Sequence, residues 1–485
     1  MNATSQTTTM KYFRAALAAA FTSAISFLPA PAALAQDGAA LYQQNCAACH
    51  GARREGAVGP ALDGIWNKVQ PEKNSLIKVI AEGIPNSAMP GWKGTLDGAK
   101  IAALADYLLT PAPGAGAGAG KAAAPGAGAG ALAAAAYPEL AGFRLPPGFT
   151  MSVYADKVDT ARSLAIAPSG IVYVGSRKAG KVFALIPSRR GDVADKVVTV
   201  ASGLNNPIGV AWRDGALYIA EIGRLSRIDN IDKRYDKQPQ LTEIKTGLPS
   251  DKWHGEKFIK FGPDGKLYIP VGAPCNVCNK EEDQHSKIFR MNADGSQIEE
   301  VARGVRNTVG FAWHPQSKEL WFTDNGRDML GDNLPSDKLN HAPTKGLHFG
   351  FPYCAGGVIP DPEFAAGRRC AEFVAPVAKL GPHVAALGLE FNNGSHFPAQ
   401  YKQQLFIAEH GSWNRAQKIG YRVALITLFD KQLVSDTVFI DGFIQNGEVI
   451  GRPVDIAFMA DGSMLVSDDH KGRVYRISYT EPQKR

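Results

Sequence analysis

The chain has 485 residues, of which 45% are hydrophobic and 20% charged, and its formal net charge is +7. That charge is spread over many residues of both signs, too diffuse for a nucleic-acid surface, though it suits docking to an acidic redox partner. Beyond an N-terminal run and an Ala/Gly segment, no stretch of about eighteen apolar residues occurs, so no transmembrane segment is expected in the mature chain.

In chain order, Lys11 and Arg14 precede an apolar run from Ala15 to Leu28, and Ala33, Leu34 and Ala35 supply small residues ahead of Gln36. Residues 1–35 read as a cleaved secretory signal peptide, with Met10 an alternative start to Met1, and predict a periplasmic protein. Next comes Cys46-Ala47-Ala48-Cys49-His50. Two thiols so spaced can each close a thioether on a haem vinyl group while the adjacent imidazole ligates the iron. A zinc site would need a second ligand pair, and none follows within about a hundred residues. Gly38 to Cys46 reads as a short helix, and Gly59 to Leu62 as a turn with an apolar contact for the haem edge. Met89, in Ser87-Ala88-Met89-Pro90-Gly91-Trp92, offers a soft sixth ligand just before a helical pattern at Ala99, Ile101, Ala102, Leu104, Ala105, Leu108 and Leu109. Residues 36–110 therefore resemble a small all-α class I cytochrome c, with haem c on Cys46 and Cys49 and an axial pair of His50 and Met89.

Residues 111–136 are Pro-Ala-Pro followed by Gly-Ala repeats around Lys121, a composition unable to bury enough side chain to fold alone. They read as a linker that keeps the haem at high effective concentration beside the remaining domain, residues 137–485. There a phrase recurs. First strands at Ser163 to Pro168, Pro207 to Trp212, Phe258 to Phe261, Val309 to Trp313, Leu387 to Phe391 and Val454 to Phe458 are mostly followed by a turn and a second strand, such as Ile171 to Val174 or Lys266 to Ile269. Six such units predict an all-β six-bladed β-propeller.

A propeller positions loops around a channel, so the chemistry must come from their polar residues. His254, in Trp253-His254-Gly255-Glu256-Lys257, sits directly before one first strand. Arg306 and Asn307 stand in the same relation to the next, and Arg452 to the last. Cations at matching edges of successive blades suggest an anion held over the channel. With Thr323 to Asp328, Phe349 to Pro352 and Glu409 to Arg415, these phrases resemble the quinoprotein sugar dehydrogenases that bind pyrroloquinoline quinone (PQQ). These are soluble glucose dehydrogenase and, more closely, the sorbosone and pyranose dehydrogenases.

The resemblance implies that His254 is the general base, taking the sugar hydroxyl proton as hydride leaves for the quinone, and that Arg306 stabilises charge at the quinone oxygens. It implies that Asn307, Arg415 and Arg452 hold the cofactor, with Arg177 and His383 as further members of that wall, and that Ca2+ takes the backbone carbonyls of Gly326 and Arg327. Asp324, Asp328 and Asp332 are left as supporting or surface residues. Where the glucose enzymes place a carboxylate, this chain reads Val271 to Cys278, which leaves open the group that orients His254. In an oxidising compartment Cys275 is expected to pair with Cys278, and Cys354 with Cys370.

The function so implied is oxidation of a small sugar, an aldose or ketoaldose, with PQQ. Electrons would leave through the fused haem to an external acceptor: a soluble cytochrome, a terminal oxidase or a quinone. A calcium-dependent lactonase propeller and a non-catalytic haem-bearing propeller that binds sugar or a partner are the alternatives.

Overall fold

The computed structural model describes residues 30–54, 62, 73–83, 89–110, 136–280 and 282–482. Most of the expected signal, most of the linker and all but Leu62 of the turn from Gly59 lie outside the described residues, as do Ser87 and Ala88.

Among the described residues, four helices form the N-terminal part: Ala30–Asn45, Ala47–His50, Lys73–Glu82 and Gly98–Leu109. The first is longer than the short helix expected from Gly38, since the alanine-rich stretch before it is also a good helix former. Helix Lys73–Glu82 was not anticipated, although Leu76, Ile77, Val79 and Ile80 carry its apolar face. The first and last helices cross at Gly38, where a Cβ would meet the Ala103 carbonyl at 2.4 Å. Tyr42, Leu76, Ile80, Ile101, Leu104 and Leu108 form the core beneath them. Asp97 caps the last helix by accepting the Lys100 N–H at 2.9 Å. Arg54, fully buried, closes its other end by donating to the carbonyls of Tyr107 and Thr110 at 3.2 and 2.9 Å. There its charge also complements the helix dipole.

From Phe149 onward the described residues form six four-stranded antiparallel blades. Their first strands are Ala161–Ile166, Gly209–Arg213, Lys260–Phe261, Phe311–Trp313, Ala386–Phe391 and Pro453–Phe458, each matching one of the recurring phrases. We number the blades 1 to 6 in that order. Blade 6 takes its outermost strand from the start of the domain: Phe149–Ala155 pairs with Arg473–Tyr479, a clasp that closes the ring. The fourth strands, such as Ala194–Ala201, escaped the sequence reading because they lie at the solvent edge and lack a clean apolar alternation.

The core is divided into six apolar clusters, one between each pair of adjacent blades. Second strands are therefore covered on both faces, and Leu267–Val271 and Leu405–Glu409 are buried throughout. First strands of neighbouring blades pack around the channel, so closely at Gly388 that a Cβ would meet the Asp455 carboxylate. Both expected disulfides are present, Cys275–Cys278 and Cys354–Cys370. The second lies in the long excursion between the third and fourth strands of blade 4. Part of that excursion, Leu347–His348, adds a parallel strand to blade 3. No helix among the described residues is long and apolar enough to cross a membrane.

Candidate active site

In an antiparallel blade the start of the first strand and the end of the second lie at the same end. The sequence-predicted residues fall at these two positions, so the topology gathers them on one face. There a cavity of about 540 Å³ is lined by Arg177, His254, Arg306, Asn307, Gly326, His383 and Arg452. Arg415 is not part of that lining. Its guanidinium turns to the Pro382 carbonyl and the Asn333 side chain at 3.5 and 3.4 Å. Arg327 lies against a smaller adjoining space, its side chain tied to Asp361 and Glu363 at 2.7 and 2.8 Å.

His254 has a left-handed backbone, φ 49°, an uncommon conformation for a residue with a side chain. Its loop is held from beneath by Lys257, fully buried, whose ammonium donates to the carbonyls of Pro249 and Gly255. The partner that orients the imidazole is a main-chain atom: Nδ1 lies 2.8 Å from the Ala273 carbonyl. A carbonyl only accepts, so Nδ1 carries the proton and Nε2 keeps its lone pair. Burial, followed by the positive charge of Arg306, holds the imidazole down to about 4, so it is neutral at physiological pH.

Arg306 is 3% exposed, and burial lowers its pKa below the usual guanidinium value. Four of its five N–H groups are used: Nε and Nη2 on Asn276, Nη1 on the Asn325 carbonyl at 3.2 Å, and Nη2 also on Asp328 at 3.1 Å. Asn307 is fixed by its main-chain N–H, which donates to Asp324 at 2.8 Å. Arg452 is held in the same way by Asp468 at 2.9 Å. Its guanidinium donates to the carbonyls of His410 and Gly411 and lies over the Tyr421 ring. Sequence reasoning left Asp324 as a supporting or surface residue, and it is the former; it missed Asp468, although a carboxylate ends the second strand in four blades, at Glu221, Asp324, Glu409 and Asp468.

Two further groups were not anticipated. His410 lines the cavity and donates from Nε2 to Asp469 at 2.8 Å, and the same carboxylate pairs with Arg162 at 3.0 Å. Asp337, also in the lining, accepts the N–H groups of Gly326 and Ala385, and burial pushes its carboxyl up to about 7.

The charges of the wall fit a polyanion. Arg162, Arg177 and Arg306 have carboxylate partners, Asp469, Glu256 and Asp328. Lys252 and Arg452 have none among the described residues, which leaves the cavity positive. Among the described residues no three His, Cys, Asp or Glu side chains are grouped to hold a metal. The carbonyls of Gly326 and Arg327 accept no hydrogen bond within that set and remain oxygen donors for a hard cation.

In the helical part, the turn Ala47–His50 carries Cys49 and has Cys46 at its N-cap three residues before, with His50 buried and both thiols unbridged. Burial and Cys49 push the Cys46 thiol up to about 11. The segment carrying Met89 is tied back to helix Lys73–Glu82 by the N–H groups of Trp92 and Lys93, on the carbonyls of Ile80 and Ala81 at 2.9 and 3.0 Å. Trp92 Nε1 is buried with no acceptor among the described residues, a donor suited to the carboxylate edge of a haem. The residues fit the group.

Comparison with known proteins accords with this division. A profile for the cbb3-type cytochrome c oxidase subunit III matches residues 33–108, and a TrAA12-like profile matches residues 143–480. An uncharacterized protein of Borreliella burgdorferi is 32% identical over 351 residues, 69% of this chain and 90% of that protein. The calcium structure of the Trichoderma reesei carbohydrate-active enzyme of family AA12 superposes with a TM-score of 0.62 at 16% identity, over 70% of this chain and 97% of that one. The holo PQQ domain of pyranose dehydrogenase from Coprinopsis cinerea gives a TM-score of 0.59 at 18% identity, over 69% and 97% of the two chains. At those identities the superpositions establish the six-bladed fold, and the profile match over residues 143–480 makes the chain a member of the TrAA12-like family, preceded by a small cytochrome c domain.

Proposed function

We propose that the protein is a periplasmic quinohaemoprotein sugar dehydrogenase, oxidising an aldose or ketoaldose at the propeller and passing electrons through its own haem c to an external acceptor. One observation carries the reading. In a single positive cavity a neutral imidazole with an available Nε2 meets a buried guanidinium, in a chain with its own cytochrome c domain. Bound PQQ would supply the two-electron acceptor.

The remaining roles belong to the chain. Arg306, Asn307 and Arg452, with Arg177 and His383 on the same wall, bind the quinone's carboxylates and carbonyls, and the carbonyls of Gly326 and Arg327 hold Ca2+. Arg415, outside the lining, adds positive potential at longer range. His254 Nε2 takes the proton of the sugar hydroxyl, and the Ala273 carbonyl keeps the ring in the tautomer that can do so. Trp253 and Trp413 line the same cavity at 51% and 69% exposure and offer flat apolar faces to a sugar ring.

The test is the visible spectrum of the haem-loaded protein reconstituted with PQQ and calcium, before and after a panel of aldoses and sorbosone. Haem reduction that requires both quinone and sugar is expected. Absence of reduction, with hydrolysis of a lactone instead, would replace this reading with a lactonase.

A further inference from the structure

We infer that Asn276, inside the loop closed by the Cys275–Cys278 disulfide, is the positioning residue that locks Arg306 to the Asn325–Asp328 segment and so sets the geometry of the ligand-binding wall. Its main-chain carbonyl accepts from Arg306 Nε at 2.8 Å, and its Oδ1 accepts from Arg306 Nη2 at 2.9 Å. The same Oδ1 accepts the Asp328 N–H at 2.8 Å, while Nδ2 donates to the Asp328 carbonyl at 3.2 Å. One amide thus grips the backbone of Asp328 at two points, as a paired strand would, and shares an oxygen with the arginine. Half of the bonds that satisfy the buried guanidinium come from this residue. Those bonds decide where its remaining N–H points.

Between the strands Leu267–Val271 and Lys287–Met291 the chain is irregular, and few of its main-chain groups are paired within it. Without a constraint such a segment samples many conformations, most of which would carry Asn276 away from Arg306. The disulfide joins residues only three apart in sequence, at a Cα–Cα distance of 6.2 Å. A loop that short restricts the unfolded chain little, so its effect falls on local geometry more than on global stability. The cross-link and the amide therefore act as one device. The cross-link fixes the loop, and the amide transmits that fixity to a cation from blade 4 and to the segment that follows the second strand of the same blade.

The functional consequence rests on the quinone site proposed above, whereas the clamp itself does not, so two readouts separate them. In the full-length, haem-loaded protein without quinone, amide hydrogen exchange over residues 324–330 is compared for wild type, Asn276→Ala, Asn276→Asp and the double variant Cys275→Ser/Cys278→Ser. Exchange at Asp328 should quicken by about tenfold or more in Asn276→Ala and in the double variant, while exchange in the second strands of the other blades keeps its wild-type rate. Asn276→Asp keeps both acceptor bonds of Oδ1 but sets a carboxylate oxygen where Nδ2 donated to the Asp328 carbonyl, so exchange there should stay faster than in wild type. Titration with PQQ should then show affinity about 10- to 100-fold weaker in Asn276→Ala, and no tighter in Asn276→Asp, which adds a negative charge beside Arg306. Unchanged exchange in Asn276→Ala overturns the clamp. Quickened exchange with wild-type quinone affinity overturns its role in setting the wall. A wild type that binds no quinone overturns the proposed function while exchange still decides the clamp.

Discussion

His254 owes its chemistry to two neighbours, the Ala273 carbonyl that fixes its tautomer and the Arg306 charge that, after burial, keeps it unprotonated. An imidazole with its pKa near 4 in place of 6.5 is a competent base through most of the acid range, at the cost of being a weaker one. The acid limb of kcat/KM for sugar oxidation by the quinone-loaded enzyme is accordingly expected below pH 6.5. A limb at pH 6.5 would show that another group, or a solvated His254, does the work. The same shift acts on stability with a definite sign. The unfolded chain takes up a proton that the folded one refuses, so this contribution to stability is lost as pH falls from 6.5 towards 4. Of this arrangement the sequence shows the histidine and the arginine but not what orients the ring. That partner is a backbone oxygen, which no side-chain pattern announces, and its position depends on Ala273 N–H donating to the Arg306 carbonyl.

At the scale of elements, a carboxylate ends the second strand in four blades, and in three of them it holds the loop that leads into a first strand. Glu221, Asp324 and Asp468 accept the N–H groups of Asn205, Asn307 and Arg452, while Glu409 pairs with Arg422. Asp324 also neutralises Lys338 at 3.1 Å, both side chains being almost wholly buried. Replacing it by alanine strands an ammonium in the interior and is expected to cost about 3–5 kcal/mol, measurable by denaturant unfolding. A loss below about 1 kcal/mol would mean that water reaches Lys338. First and second strands were readable because both are apolar phrases punctuated by turns such as Asp214-Gly215 and Asp264-Gly265. The outer strands were not. Ala194–Ala201 faces solvent along much of its length, so its residues are chosen for solubility and carry little periodic signal. Helix Lys73–Glu82 carries a readable apolar face in Leu76, Ile77, Val79 and Ile80, so its existence was legible in the sequence.

For the molecule as a whole, the decisive feature is the clasp of Phe149–Ala155 on the last blade. Phe149 packs edge-on against Phe397, Tyr401 and Phe439, so the strand secures blade 5 as well as blade 6. A chain begun at Tyr137 retains the clasp and is expected to melt with the parent's propeller transition and to oxidise sugar with an artificial dye. A chain begun at Asp156 loses the strand that pairs along Arg473–Tyr479, together with the buried Phe149, and should melt about 10 °C or more lower. Equal melting of the two would show that the ring closes without it. The cytochrome domain touches the propeller at the edge of blade 5, where Lys78 meets Asp430 at 2.8 Å, an exposed pair too weak to fix its position. The clasp also governs how the protein is made. Its two strands lie more than three hundred positions apart in the chain, so the first to be synthesised waits with an unpaired edge until the last emerges. A message cut short near its end therefore yields five sound blades and two open sheet edges, a product marked for aggregation or degradation.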